Sequence, residues 1–111
     1  MYAMKKSEVK GIVTKESQKF KYAVDVTNSF KKDFVDCYYR GLDTNLLVKA
    51  VEILATDGIL PQKYKPHPLR GNYQGFMECH IQSDWLLVWK QEDDNLTLLL
   101  TNTGTHSYIF G

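Results

Sequence analysis

The spacing of apolar residues changes twice along this chain, and that change constrains its fold more than any other feature. Apolar and polar residues alternate over 20–26, which is typical of a β-strand. Apolar residues then recur at helical spacing in two stretches that end near Gly41 and Gly58. Three further stretches are typical of strands: 76–81, 85–90 and 96–102. The predicted order is therefore β–α–α–β–β–β.

This order predicts the fold class. Only about three residues join the two helices, so we expect a helical hairpin. The polar side of its first helix is predicted to carry Lys31, Lys32, Asp33 and Asp36. The last three strands have short turns and predict an antiparallel meander. We expect an α+β fold of two layers, in which a mainly antiparallel sheet carries the hairpin on one face and leaves the other face open.

Composition and length fit one domain. The chain has 111 residues, of which 43% are hydrophobic and 13% aromatic, as expected for a packed globule. Residues 1–19 are polar and weakly patterned, so we divide the chain into an N-terminal extension, 1–19, and a domain, 20–111. No apolar run is long enough for a transmembrane helix, and the N-terminus lacks the apolar segment of a secretory signal. Cys37 and Cys79 fit neither a disulfide framework nor a metal site, which predicts free buried thiols in a cytoplasmic protein.

The net charge is only +1, from 14 basic and 13 acidic residues, but it is unevenly distributed. Residues 1–20 carry five lysines against two glutamates, whereas residues 66–111 carry two basic against five acidic residues. The chain has no overall excess of positive charge of the kind that indicates a nucleic-acid-binding protein, so we do not expect tight binding to free RNA.

The three histidines all lie in the second half of the chain, on different elements. His67 lies in a proline-rich loop, His80 near the end of a strand, and His106 in the tail. Alternation along 76–81 places Glu78 and His80 together on the open face of the sheet. A carboxylate beside an imidazole stabilises its protonated form and suits acid–base catalysis. The alternative is an ordinary solvated strand face.

Other chemistry is less well supported. Asp84 fits a turn residue, and Trp85 is more typical of packing than of a stacking surface. The three histidines with Asp84 match no compact zinc signature, so we expect no metal and no cofactor. Phosphate-binding glycine loops and the nucleophile motif of hydrolases do not occur.

Two strings carry a resemblance to a known family: HPLRGNYQGFMECHIQSDWLLVW and TNTGTHSYIFG. An HPL-x-G loop, an H-x-x-x-D-W strand end and a terminal T-G-T-H followed by a hydrophobic residue and Phe resemble the YafQ-like branch of the RelE toxin family. The resemblance covers about residues 20–111 and includes the order of elements.

This resemblance implies an endoribonuclease toxin of a type II toxin–antitoxin system. Such toxins cleave mRNA in the ribosomal A site and are neutralised by a cognate antitoxin. The reaction needs no metal: the RNA 2′-OH attacks the adjacent phosphate and the 5′-oxygen leaves. It requires a base, an acid and a group that stabilises the charged phosphorane. The expected partners are the antitoxin, the ribosome and mRNA, with no membrane.

The resemblance also implies the site. The catalytic residues are His67 as general base, His106 as general acid, and His80 and Asp84, which orient and polarise the site. At family positions, the substrate-binding residues expected for RNA are Glu78, Trp85, Asn102 and Phe110. Among these, Phe110 is expected to hold a nucleobase. The charge distribution adds basic residues around these positions that are expected to hold phosphates: Lys63, Lys65 and Arg70.

One departure concerns phosphate binding. The family usually has Arg immediately before T-G-T-H, where this chain has Asn102. Arg is the better donor to a phosphorane, so the nuclease is attenuated unless Arg70 substitutes. An alternative is a toxin-like module that binds antitoxin or ribosome without cleaving RNA. A third is a metal-dependent hydrolase that uses the His and Asp cluster.

Overall fold

The computed structural model describes residues 3–111, so the first two residues of the expected extension lie outside it. The α-helices of the described part are α1 (Val9–Val13), α2 (Asn28–Tyr39), α3 (Thr44–Asp57) and α4 (His106–Phe110). The strands are β1 (Ala23–Val26), β2 (His67–Pro68), β3 (Met77–Gln82), β4 (Trp85–Glu92) and β5 (Thr97–Gly104). Short 3-10 turns cover Lys6–Glu8, Ser17–Lys19, Gln62–Tyr64 and Gly71–Tyr73.

The five strands form one sheet in the order β1-β5-β4-β3-β2. β1 is parallel to β5, and the other three pairs are antiparallel. This confirms the predicted α+β class and the mainly antiparallel sheet. None of the helices among residues 3–111 is both long and apolar enough to cross a membrane.

The strands differ most from the prediction at β1 and β2. β1 begins at Ala23 rather than at residue 20, because the amides of Lys21 and Tyr22 donate to the carbonyl of Ala55 in α3 instead of pairing in the sheet. β2 lies in a stretch predicted as loop. Its two residues pair with β3, and a strand so short has no alternating pattern to detect.

The two helices of the hairpin begin at capping side chains and end at the predicted glycines. The Thr27 side chain accepts a hydrogen bond from the Phe30 amide at 3.0 Å, and Asp43 accepts one from the Asn45 amide at 3.1 Å. Gly41 and Gly58 follow the two helices with φ values of 86° and 77°. The hairpin packs on one face of the sheet. The core between them includes Phe30, Phe34, Leu47, Leu54, Trp89 and Leu100.

Asp33 corrects the predicted polar side of α2. Its carboxylate is buried, with 2% of the residue exposed. The position lies three residues after Phe30 and four before Cys37, so it borders the apolar stripe of the helix and turns with it toward the sheet.

The segment before β1 is packed rather than extended. Val9 and Val13 on α1 are fully buried in the main core, and Met4 is nearly so. The Tyr39 hydroxyl accepts a hydrogen bond from the Met4 amide at 3.0 Å. Residues 3–19 therefore belong to the folded unit, although their sequence pattern is weak.

Candidate active site

β2 places His67 directly opposite Glu78 on β3. His67 Nε2 lies 3.3 Å from Glu78 Oε1, and His67 Nδ1 lies 2.8 Å from the carbonyl oxygen of Lys65. Because a carbonyl oxygen only accepts, Nδ1 carries a hydrogen and Nε2 of the neutral ring is left to accept a proton. Glu78 Oε1 therefore faces Nε2, the nitrogen that takes up the proton when the ring becomes charged.

Glu78 does not lie on a solvated strand face. Only 5% of the residue is exposed, and its carboxylate pairs with His67 rather than with its expected neighbour His80. Residues directly opposite on paired strands lie closer together than residues two apart on one strand, which explains the choice of partner. The His80 ring is nevertheless near, with its centroid 6.5 Å from that of His67.

Asp84 connects the turn after β3 to the start of α4. Its Oδ1 accepts a hydrogen bond from the His106 backbone amide at 3.2 Å. The His106 ring lies 5.1 Å from the ring of Phe110, one helical turn away. Asp84 therefore acts on His106 through the backbone that carries it.

The histidines form two groups on either side of β4. His80 and Gly104 both pair with Leu86, so they are two strand spacings apart, or about 10 Å. His67 and His80 lie on one side of this gap, and His106 follows Gly104 on the other. Leu86 and Val88 on β4 are buried outside the main core cluster and form the floor between the groups.

Aromatic rings extend the site beside His106. Phe110 is half-buried, and the Tyr73 ring meets it edge to face with centroids 4.8 Å apart. Tyr73 is 39% exposed, and its ring is 6.5 Å from that of Phe76. Lys90 Nζ lies 5.1 Å from the Phe76 ring centroid. Such a cluster can stack a splayed nucleobase.

Basic side chains lie on the His80 side. A groove of about 230 Å³ is lined by Leu46, Lys49, Lys63, Tyr64, His80 and Ile81. Lys63 Nζ lies 5.3 Å from the Tyr64 ring centroid. Lys65 and Arg70 are exposed on the loop around β2. Positive charge is thus available beside the histidines although the surrounding sequence is acidic.

Two of the residues expected to bind substrate are engaged elsewhere. Trp85 is 3% exposed and its indole N–H donates to Thr103 Oγ1 at 2.9 Å, so it packs in the core. Asn102 Nδ2 donates to Asp33 Oδ2 at 3.2 Å. The sequence analysis does not identify Asp33 as a buried partner of Asn102. A helical projection of α2 places Asp33 beside Phe30 and Cys37, and this position could have indicated its burial.

The two thiols are confirmed as free and buried. Burial raises the pKa of Cys37 and raises that of Cys79 to about 12. Both therefore stay protonated near neutral pH and are poor nucleophiles. Across residues 3–111, no three His, Cys, Asp or Glu side chains are arranged as metal ligands.

Comparison with known proteins places the chain in a family. The sequence model of the bacterial toxin YafQ of type II toxin–antitoxin systems matches residues 22–111. The mRNA interferase toxin YafQ of Escherichia coli strain K12 is 33% identical over 89 residues, which are 79% of this chain and 95% of that protein.

Solved structures agree with this match. A chain of the Escherichia coli DinJ–YafQ complex superimposes with a TM-score of 0.75 at 32% identity, covering 82% of this chain and all of that one. A metal-bound toxin from Helicobacter pylori superimposes with a TM-score of 0.74 at 39% identity, covering 80% of this chain and 99% of that one. The chain therefore belongs to the YafQ family of toxins of type II toxin–antitoxin systems.

Proposed function

We propose that this chain is an mRNA interferase toxin, an endoribonuclease that cleaves mRNA in the ribosomal A site and is neutralised by a cognate antitoxin. The observation that carries the proposal is the pair of histidine groups, His67 with His80 and His106 alone, on either side of β4. The Escherichia coli relatives support it by name, as an mRNA interferase and as a DinJ–YafQ complex. A toxin that acts on ribosomes works in the cytoplasm.

His67 is the general base of the proposed mechanism. Its Nδ1 hydrogen is held by the Lys65 carbonyl, so Nε2 accepts the proton of the RNA 2′-OH. Glu78 Oε1, 3.3 Å from Nε2, stabilises the imidazolium that forms. The Lys65 carbonyl on Nδ1 has the place of the acceptor oxygen that orients the catalytic histidine in hydrolytic triads.

His106 is the general acid on the other side of the scissile phosphate. It protonates the 5′-oxygen as the bond from phosphorus to that oxygen breaks, leaving a 2′,3′-cyclic phosphate and a 5′-hydroxyl. Asp84 sets its position through the backbone amide. Phe110, with Tyr73 against its edge, holds a nucleobase, and Lys63, Lys65 and Arg70 hold phosphates.

A toxin-like module that binds without cleaving remains a second candidate because of Asn102. The amide that stands in the family's arginine position donates to Asp33, so no charged donor comes from that position. A missing charged donor to a transition state costs on the order of a hundredfold or more in rate. Arg70 is the arginine we propose as its substitute.

The division of the chain is part of the proposal. We assign the toxin activity to residues 20–111, which nearly coincide with the family match over 22–111. Residues 1–19 are an added segment, and its described part, residues 3–19, packs on this domain through Val9 and Val13.

The test is an in vitro translation reaction with purified protein, compared with the same mRNA without ribosomes. We expect cleavage only with ribosomes, and fragments that end in 2′,3′-cyclic phosphate. Full-length mRNA together with intact antitoxin binding would instead support the binding module. Loss of cleavage on metal chelation of a ribosome-free substrate would support the hydrolase alternative.

A variant links the activity to the site. His106→Ala should abolish growth arrest on expression while antitoxin binding is unchanged, because α4 is exposed at this residue. Equal toxicity of the variant and the parent would contradict the site as described.

A further inference from the structure

Asp33 on α2 has a buried carboxylate that lies against β5. The contact is beyond Leu100, the last residue of β5 that pairs with β1. The carboxylate accepts hydrogen bonds from the Tyr108 hydroxyl at 2.6 Å, the Thr103 amide at 3.2 Å and Asn102 Nδ2 at 3.2 Å. The ion pairs within residues 3–111 include none to Asp33. A buried carboxylate is costly to desolvate, so these neutral donors determine whether it is tolerated.

Tyr108 joins α4 to this carboxylate. Its ring lies against Gly104, where a Cβ atom would be 2.9 Å from Tyr108 Cδ2, and Gly104 has a φ of 150°. The glycine of the T-G-T-H string is therefore required by the ring of Tyr108. The hydrogen bond to Asp33, together with burial, raises the pKa of Tyr108, so its hydroxyl stays protonated and donates at neutral pH.

The contact matters because α4 cannot hold its position alone. A helix of five residues is not stable in isolation. The Thr105 side chain caps it by accepting from the Tyr108 amide at 3.1 Å, and Asp84 holds its first amide. Tyr108 is the only one of these anchors that ties the helix to α2, on the other layer of the fold. It lies between the two residues of α4 placed in the site, His106 and Phe110.

We propose that Asp33 and Tyr108 are positioning residues for RNA cleavage, which form a latch that holds α4 so that His106 and Phe110 face the gap over β4. This inference rests on the proposed function. In it, Asn102 serves the latch and not the phosphate, because its amide is directed at Asp33. Displacing a catalytic group by about 1 Å can cost about a hundredfold in rate, so a single hydrogen bond suffices to show the effect.

The test compares Tyr108→Phe with Tyr39→Phe. The first keeps the ring against Gly104 and removes the hydroxyl that donates to Asp33 and that accepts a longer hydrogen bond, 3.5 Å, from the exposed Lys32 Nζ. The second is a matched control, because it removes a tyrosine hydroxyl that borders the same cavity but bonds to the Met4 backbone and not to Asp33. Single-turnover cleavage of mRNA on programmed ribosomes gives a maximal rate and the toxin concentration at half that rate. Amide hydrogen exchange of Ile109, whose N–H donates to the Thr105 carbonyl, reports the order of α4.

We expect Tyr108→Phe to lower the maximal rate at least tenfold while the half-saturating concentration and antitoxin affinity change less than twofold. Exchange at Ile109 should become at least tenfold faster, and Tyr39→Phe should change none of these values. Unchanged exchange at Ile109 would overturn the latch, whether or not the parent protein cleaves RNA. Faster exchange with an unchanged cleavage rate would overturn its role in positioning. Absence of cleavage by the parent protein would contradict the proposed function instead.

Discussion

Strand register decides what Glu78 can do. Opposite His67 it is a buried partner of a ring nitrogen, whereas the alternation along β3 alone pairs it with His80. The alternation is a property of one strand and is readable in the sequence. The partner depends on β2, whose two residues carry no pattern, so the His67–Glu78 pair required the structure.

Glu78→Gln tests this pair with the side-chain volume unchanged. The amide cannot stabilise a charged His67 as the carboxylate does, so we expect cleavage about tenfold to a hundredfold slower with antitoxin binding retained. The measurement is single-turnover cleavage on ribosomes. Glu92→Gln, at an exposed carboxylate that accepts from Asn95, is the control and should cleave as the parent does. Equal rates for both variants would remove Glu78 from the mechanism.

Asn102→Ala tests whether the Asn102 amide supports the buried Asp33 rather than binding an RNA phosphate. If its amide supports the buried Asp33, its loss should lower the free energy of unfolding by about 1 to 3 kcal/mol. Urea denaturation of the variant measures this value. Asn95→Ala, which removes an exposed amide–carboxylate hydrogen bond, should change stability by less than about 0.5 kcal/mol. An Asn102→Ala protein as stable as the parent would show that the amide does not support Asp33.

At the scale of elements, the sequence pattern predicts those with strong periodicity and clear caps. α2, α3 and the three meander strands lie within a few residues of their predicted positions, because Thr27, Asp43, Gly41 and Gly58 mark the helix ends. The weakly patterned elements escape prediction. α1 buries only two valines in five residues, and tertiary packing rather than local propensity makes it helical.

Val13→Ala tests whether the N-terminal segment is part of the cooperative fold. Val13 is fully buried on α1, so removing two methyl groups should cost about 1.5 to 3 kcal/mol of unfolding free energy. The exposed Lys15→Ala in the same segment should leave stability unchanged within about 0.5 kcal/mol. Both are measured by denaturant unfolding with tryptophan fluorescence. A Val13→Ala protein with parental stability would mean that residues 3–19 detach without consequence for the domain.

At the scale of the molecule, the sheet has two different faces. The hairpin covers one with the main core. On the other, Leu86 and Val88 are buried outside that core, and the Phe110 ring of α4 meets the Tyr73 ring of the loop before β3. The sequence predicts the open face and places His80 on it. The structure adds that the histidines form two groups on either side of β4, where His80 and Gly104 are about 10 Å apart along the backbone. That separation depends on three strands lying side by side, which no local pattern encodes.

The near-neutral charge fits an enzyme that relies on a larger assembly for positioning. A net charge of +1 gives little general attraction for free RNA, and the basic side chains beside the site are few. In the proposed function, the ribosome supplies the alignment of the RNA. The central claim is then chemical: RNA bound over β4 is cleaved by attack of the RNA 2′-OH on the adjacent phosphate.

The most direct test replaces one hydroxyl in the substrate. Ribosomes are programmed with an mRNA whose A-site nucleotide on the 5′ side of the cleaved bond carries 2′-deoxyribose, and the fragments are mapped beside the all-ribose mRNA. The mechanism predicts a 2′,3′-cyclic phosphate end on the all-ribose mRNA and no cleavage at the deoxy position. Cleavage of the deoxy mRNA at the same bond would contradict attack by the 2′-OH.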